Sequence, residues 1–294
     1  MGKKERKKAK EHKGRVGQRC PSCLDGFVRL CNDGWLQGWH ERNGGNLSYR
    51  LAPRERDEFE GYAGFGACGD WHGLTLPEPS LAGERFLVTG SGRHMRRVAD
   101  DPSANLCLIE LDGEGASWRL LWGLTEGGMP TSELPTHLAA HAVRSSVGEG
   151  RDRVVYHAHL PNLVALTYVA EPEDRTVSRI LWKTIPECVM TFPEGIGVVG
   201  WGIPGSRELA EATRAKMERY RAVVWALHGV FCAGPTFDET FGYAQTLEKA
   251  AQIHRYACAM NGGSDVFWQT IPDDGLRACA AACGREANPE FLNG

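Results

Sequence analysis

The 294-residue chain has no apolar run of 18 or more residues, so nothing in it is expected to span a bilayer. Residues 1–17 contain no apolar h-region, which argues against a secretory signal. Neither a Walker A motif nor a dinucleotide fingerprint occurs, so a nucleotide is not the natural ligand. Lysine is scarce beyond residue 17, with only Lys183, Lys216 and Lys249. The last two sit among charged neighbours on expected helix surfaces. Imine chemistry, which needs a desolvated lysine, is left with Lys183 alone and carries little weight. No internal repeat is visible, and composition is unremarkable at 42% apolar and 24% charged residues. A collagen-like or wholly disordered chain is thereby excluded.

What is present is uneven. Residues 1–17 hold eight Lys/Arg and two Glu, whereas the remainder holds 26 basic and 35 acidic residues. The mildly acidic body makes nucleic acid a poor expectation as partner. The basic segment reads as a solvated arm, with a surface- or nucleic-acid-binding arm as the alternative. With no secretory signal a reducing, cytoplasmic setting is expected, and most of the ten cysteines read as free thiols. Cys20-x-x-Cys23 lacks two further close ligands and is a weak metal or redox signal. The expected organisation is a basic extension over 1–23 and one catalytic domain over 24–294.

Apolar periodicity predicts a helix over Leu24–His40, with Leu30, Trp35, Leu36 and Trp39 inward. A strand follows at Leu47–Leu51, then an irregular Gly/Pro-rich stretch over 52–84. Strands are expected at Phe86–Val88, Leu106–Leu111 and Trp118–Trp122, the last two forming a hairpin around Asp112–Gly115. A helix should open at Thr131-Ser132 with Leu134, Leu138 and Ala142 inward. Arg153–His159 reads as a strand and Asn162–Val169 as a short helix. A helix after Ser206 gives way to a strand over Val223–Phe231, and Thr236 with Glu239 has capping-box spacing before a helix to about Met260. The mixture predicts an α/β sandwich whose hairpins exclude a purely parallel sheet.

The segment Val154-Val155-Tyr156-His157-Ala158-His159 carries the strongest chemical signal. Residues i and i+2 of a strand share a face, so His157 and His159 form half of a divalent-metal site. A catalytic zinc usually takes three protein ligands, and His228 in an apolar strand, beside Gly229, is the candidate third. Small polar turns at Asn43-Gly44-Gly45-Asn46, Thr89-Gly90-Ser91-Gly92 and Thr131-Ser132 offer N–H groups and hydroxyls to an anion such as phosphate. Glu133, next to the third turn, reads as a general base or as a first-turn carboxylate complementing the helix dipole. His137 and His141 fall four apart on the same helix and read as structural or supporting residues.

In order along the chain, Glu41–Leu47, Val88–Gly92, Pro130–Pro135, His157-Ala158-His159 and His228–Phe231 resemble the zinc-dependent class II aldolases of sugar phosphates. The likeness runs from about residue 24 to 258, and further segments such as Leu121–Thr125, Asn162–Val169 and Gly234–Gly242 support it. It implies a three-layer α/β/α sandwich around a mostly antiparallel central sheet. It implies one Zn²⁺ per subunit on His157, His159 and His228, and substrate phosphate on Asn43, Asn46, Ser91, Gly92, Thr131 and Ser132. Glu133 would be the catalytic acid/base, and Glu187 a second catalytic carboxylate reaching the site of a neighbouring subunit in a homotetramer. The implied reaction is carbon–carbon cleavage of a ketose phosphate through an enediolate whose charge the zinc holds. Another class II aldolase, an epimerase or a dehydratase acting on a related sugar phosphate is the alternative. A non-catalytic scaffold is a third reading, which the complete ligand set opposes. The Cys279–Cys283 region carries no assignment.

Overall fold

The computed structural model describes residues 20–66 and 69–293, so the basic segment 1–17 lies outside the described residues. The elements run α1 (Ser22–Leu36), β1 (Asn46–Arg50), α2 (Pro53–Glu60), β2 (His72–Gly73), β3 (Arg85–Thr89) and α3 (Pro102–Asn105). They continue with β4 (Leu106–Leu111), β5 (Ser117–Gly123), α4 (Leu134–Val147), β6 (Val154–Ala158), α5 (Pro161–Leu166), α6 (Asp174–Thr184) and α7 (Pro186–Thr191). The last are β7 (Gly197–Val199), α8 (Arg207–Met217), β8 (Ala222–Trp225), β9 (Gly229–Gly234), α9 (Phe237–Met260) and α10 (Asp273–Ala282).

The strands form one sheet in the order β2-β5-β4-β3-β1-β6-β9-β8-β7. Among the described residues, only β7 and β8 pair in parallel. Side chains alternate across a strand, so β1 and β6 each feed two layers. Leu47, Tyr49, Val154 and Tyr156 join the core beneath α1, α6 and α9. Val155, Val223 and Phe231 pack on the opposite face against Ala140 of α4 and Leu209 of α8. Leu134, Leu138 and Ala142 of α4 cover Phe86 and Val88 on that same face. This is the expected three-layer sandwich around a mostly antiparallel sheet.

Several local expectations need correction. The inward stripe of α1 is Cys23, Leu24, Phe27, Leu30 and Cys31, while Trp35 and Leu36 are exposed and Trp39 is buried beyond the helix end. The helix starts two residues earlier than expected and ends four residues earlier, at Leu36, so Trp39 falls outside it. Residues 52–84 contain α2, whose Glu55 carboxylate accepts from Ala52 N at 2.7 Å and caps the helix start. Its sequence is mostly charged and only Phe59 is buried, so apolar periodicity gave no signal there. The segment Val223–Phe231 is two strands joined by a turn over 226–228, so His228 lies on a turn and not within a strand. Leu227 takes a φ of 64° to make that reversal. The Cys279–Cys283 region lies largely on α10, anchored by buried Leu276 and Ala280.

Candidate metal centre and acid/base site

Strand register decides which residues meet. Asn46 opens β1 opposite His157 near the end of β6, and His157 pairs in turn with Phe231 of β9. His159 follows two residues later, and the β8–β9 turn brings His228 over the same sheet end. The three imidazoles form a triangle, with ring centroids 5.1 Å apart for His157–His159 and 4.9 Å for each of the other pairs. One nitrogen from each lies within 4.8 Å of the others. Gly229 permits the close approach, because a Cβ there would sit 2.5 Å from Ala158 O and 3.0 Å from His157 Cε1.

The tautomers follow from the partners. His157 Nδ1 donates to Val230 O at 3.0 Å, and His159 Nδ1 donates to the Glu41 carboxylate at 2.8 Å. In a neutral ring with this Nδ1 donor, Nε2 is left as a lone pair, the form a metal binds. His157 Nε2 and His228 Nδ1 are buried with no hydrogen-bond partner. A buried unpaired polar atom costs about 1–3 kcal/mol, so an orphaned His157 nitrogen within a triad whose nitrogens lie within 4.8 Å of one another fits a divalent cation with nitrogen ligands. Burial holds His157 well below the ordinary histidine range and lowers His228 to about 4, keeping both in the neutral, ligating form.

Glu133 precedes α4, with its N–H capped by Thr131 Oγ1 at 3.3 Å. Its Oε2 lies 3.6 Å from His157 Nε2, too far for a hydrogen bond and close enough to share the site. Asn46 Nδ2 donates to the same oxygen at 2.9 Å. Burial raises the Glu133 pKa, and the Asn46 hydrogen bond opposes that rise.

The three polar turns converge on this sheet end. Thr131 N bonds Thr89 O at 2.9 Å, Ser91 N bonds Met129 O at 2.8 Å, and Gly90 bridges Pro130. Asn43, Ser91, Gly92 and Ser132 are exposed on the rim, and Thr131 is buried. Asn46 is buried with both ends of its amide engaged, on Glu133 and on His137. Glu187 is exposed on α7, and among the described residues no hydrogen bond or ion pair joins it to His157, His159 or His228. Gly45, at φ +70°, lets the chain pass His40 and His157, since a Cβ there would meet His40 Nδ1 at 2.3 Å.

Two supporting residues had no expected role. Glu41 orients His159, and His40 donates from Nδ1 to Gly44 O at 3.0 Å while its Nε2 bonds the Tyr156 hydroxyl at 2.8 Å. Their signal was their position beside the glycine turn, which reads only as a polar loop. Lys183 pairs with Asp273 and Lys216 with Asp174, while Lys249 is exposed and bonds Gln252. None of the three lies at this site.

A three-layer sandwich with three histidines and a carboxylate gathered at one end of its sheet defines a metal-site protein of the class II aldolase type. The chain belongs to that family: the class II aldolase and adducin N-terminal domain matches residues 25–255. It is 44% identical to a rhamnulose-1-phosphate aldolase of Klebsiella pneumoniae subsp. pneumoniae, covering 87% of this chain and 90% of that one. An Escherichia coli rhamnulose-1-phosphate aldolase is also 44% identical, covering 89% and 93%. Among solved structures, a sugar-phosphate aldolase from Thermotoga maritima superposes with a TM-score of 0.70 at 29% identity, covering 83% of this chain and 98% of that one. An L-fuculose 1-phosphate aldolase at 17% identity, covering 90% and 97%, shares the fold with a TM-score of 0.56.

Proposed function

We infer that the protein is a rhamnulose-1-phosphate aldolase, a class II lyase that reversibly cleaves L-rhamnulose 1-phosphate to dihydroxyacetone phosphate and L-lactaldehyde. The observation that carries this is 44% identity to enzymes of that name over nearly the whole of both chains. The local geometry supports it through a carboxylate beside a histidine triad with orphaned nitrogens.

His157, His159 and His228 would hold one zinc ion, and bound there it would act as a Lewis acid for charge developing on the ketose oxygens. Glu133 would give its proton to the carbon released from the broken bond, or take it in the condensation direction. Burial suits it to both duties, since it raises the pKa of a group that must hold a proton and part with it. Asn43, Ser91, Gly92, Thr131 and Ser132 would bind the phosphate, using interactions remote from the reacting bond to orient it. Asn46, assigned to the phosphate by resemblance, is turned inward onto Glu133. Glu187 would act in the site of a neighbouring subunit, which makes a homotetramer part of the reading. Its exposure supports that role. The unit would span residues 24–294 and work in the cytoplasm. Among the described residues no helix is long and apolar enough to cross a membrane.

The test is release of dihydroxyacetone phosphate from L-rhamnulose 1-phosphate by purified protein, with L-fuculose 1-phosphate in parallel. Release that a chelator abolishes and zinc restores is the expected result. No release by folded, zinc-loaded protein would sink the rhamnulose assignment.

A further inference from the structure

Behind Glu133, the side of β1 that faces α4 is polar where the layer around it is apolar. Asn46 and Ser48, two apart on the strand, alternate with Glu133, His137 and His141, four apart along the helical side. The spacings match, because four helical residues rise about 6.0 Å and two strand residues about 6.6 Å. All five residues are buried. Of them, the cleavage chemistry uses only Glu133.

The partners set the direction of each hydrogen bond. A carboxylate oxygen only accepts, so Asn46 presents Nδ2 to Glu133. Asn46 Oδ1 then faces His137 Nε2, which must carry the proton. Burial lowers the His137 pKa to about 3 and keeps the ring neutral. A neutral imidazole has one N–H, so His137 Nδ1 accepts from the Ser48 hydroxyl at 2.7 Å. Ser48 Oγ accepts from His141 Nε2 at 2.8 Å, and His141 Nδ1 ends the chain as a buried lone pair without a partner. Flipping the Asn46 amide would reverse every link and strand a buried N–H on His141 Nδ1. An orphaned donor is the rarer and costlier defect.

We propose that Asn46, His137, Ser48 and His141 are positioning residues, a one-way hydrogen-bond chain that locks the Asn46 NH₂ on Glu133 Oε2 and leaves Oε1 to face the substrate carbon. Among the described residues the side-chain hydrogen bond to Glu133 falls on Oε2 and none falls on Oε1, as that role requires. The inference rests on the aldolase reading and deepens it, and it moves Asn46 from the phosphate to the acid/base group.

The test compares metal-loaded wild type with His137→Phe, His137→Gln and Ser48→Ala on L-rhamnulose 1-phosphate. Phe keeps the bulk of the ring and removes the donor to Asn46, whereas Gln restores a donor. In His137→Phe, kcat is expected to fall about 10- to 100-fold, the scale of small misplacements of a reacting group, with KM nearly unchanged. His137→Gln should recover most of kcat, a rescue that a purely structural role would not give. If His137→Phe does not fold, Ser48→Ala carries the same split of kcat against KM. A raised KM at unchanged kcat, or Gln no better than Phe, overturns the inference. Active wild type with unchanged kcat in His137→Phe and Ser48→Ala overturns it alone, whereas wild type that releases no dihydroxyacetone phosphate overturns the aldolase reading with it.

Discussion

Two sets of histidines share one layer of the molecule and differ in what their nitrogens touch. His157 and His228 are lowered by burial, but so is His137, so burial does not distinguish the sets. In the triad, one nitrogen from each ring lies within 4.8 Å of the others, and His157 Nε2 and His228 Nδ1 are buried with no partner. In the row on α4, both nitrogens of His137 are bonded and only the far end of His141 is open. A triad of clustered ring nitrogens that includes orphaned ones marks a ligand site, whereas consecutive satisfied ones mark scaffold.

Removing a triad ligand should give the largest effect. His157→Ala is expected to lose bound metal and to slow cleavage at least about 10³-fold, since a Lewis acid supplies several kcal/mol. Metal analysis with turnover checks this, and wild-type metal content at wild-type rate would erase the distinction between the sets. Glu133→Gln should keep the metal and lose about 10²- to 10³-fold in kcat, within the range of general acid–base catalysis. Loss of metal in that variant would make Glu133 part of the metal site instead.

Glu41→Ala tests whether orientation of His159 matters. Metal affinity should weaken about 10- to 100-fold, as for other groups that orient a ligand, with kcat at saturating metal little changed. Competition against a coloured chelator reads the difference directly.

The smallest expected effect is on stability against pH. His137 and His40 are held at about 3 and about 4, below the ordinary value of 6.5. The unfolded chain therefore takes up their protons first on acidification. Stability is full above pH 6.5 and declines as pH falls toward these values. The melting temperature should drop over that window by about 2–4 °C per kcal/mol lost. His137→Phe should flatten the slope, and an identical slope would remove His137 from this balance.

Much of this was legible because it is local. His157 and His159 share a face through strand alternation, and Thr236 caps α9 as the spacing with Glu239 predicts. The inward residues of α4 follow helical periodicity. The rest failed for identifiable reasons. His228 was read within a strand because apolar residues flank it on both sides, and the turn depends on Leu227 adopting a positive φ. The charged helix α2 carries one buried residue, so pattern gives it no weight.

By itself, the sequence determined the residue types and local periods of the site: a His-x-His strand, a glutamate at a helix start, glycines at tight turns, and too few lysines for imine chemistry. Such features involve neighbours a few positions apart, where alternation and helical repeat impose the geometry. Only the tertiary structure decided that Asn46 turns inward to Glu133, that Glu41 holds His159, and that His137 joins β1 to α4 through Ser48. Those contacts bridge 87, 118 and 89 positions of chain. No local period constrains such distances. They are decided by which strands pair, in which register, and by the near-equal rise of two strand residues and four helical ones.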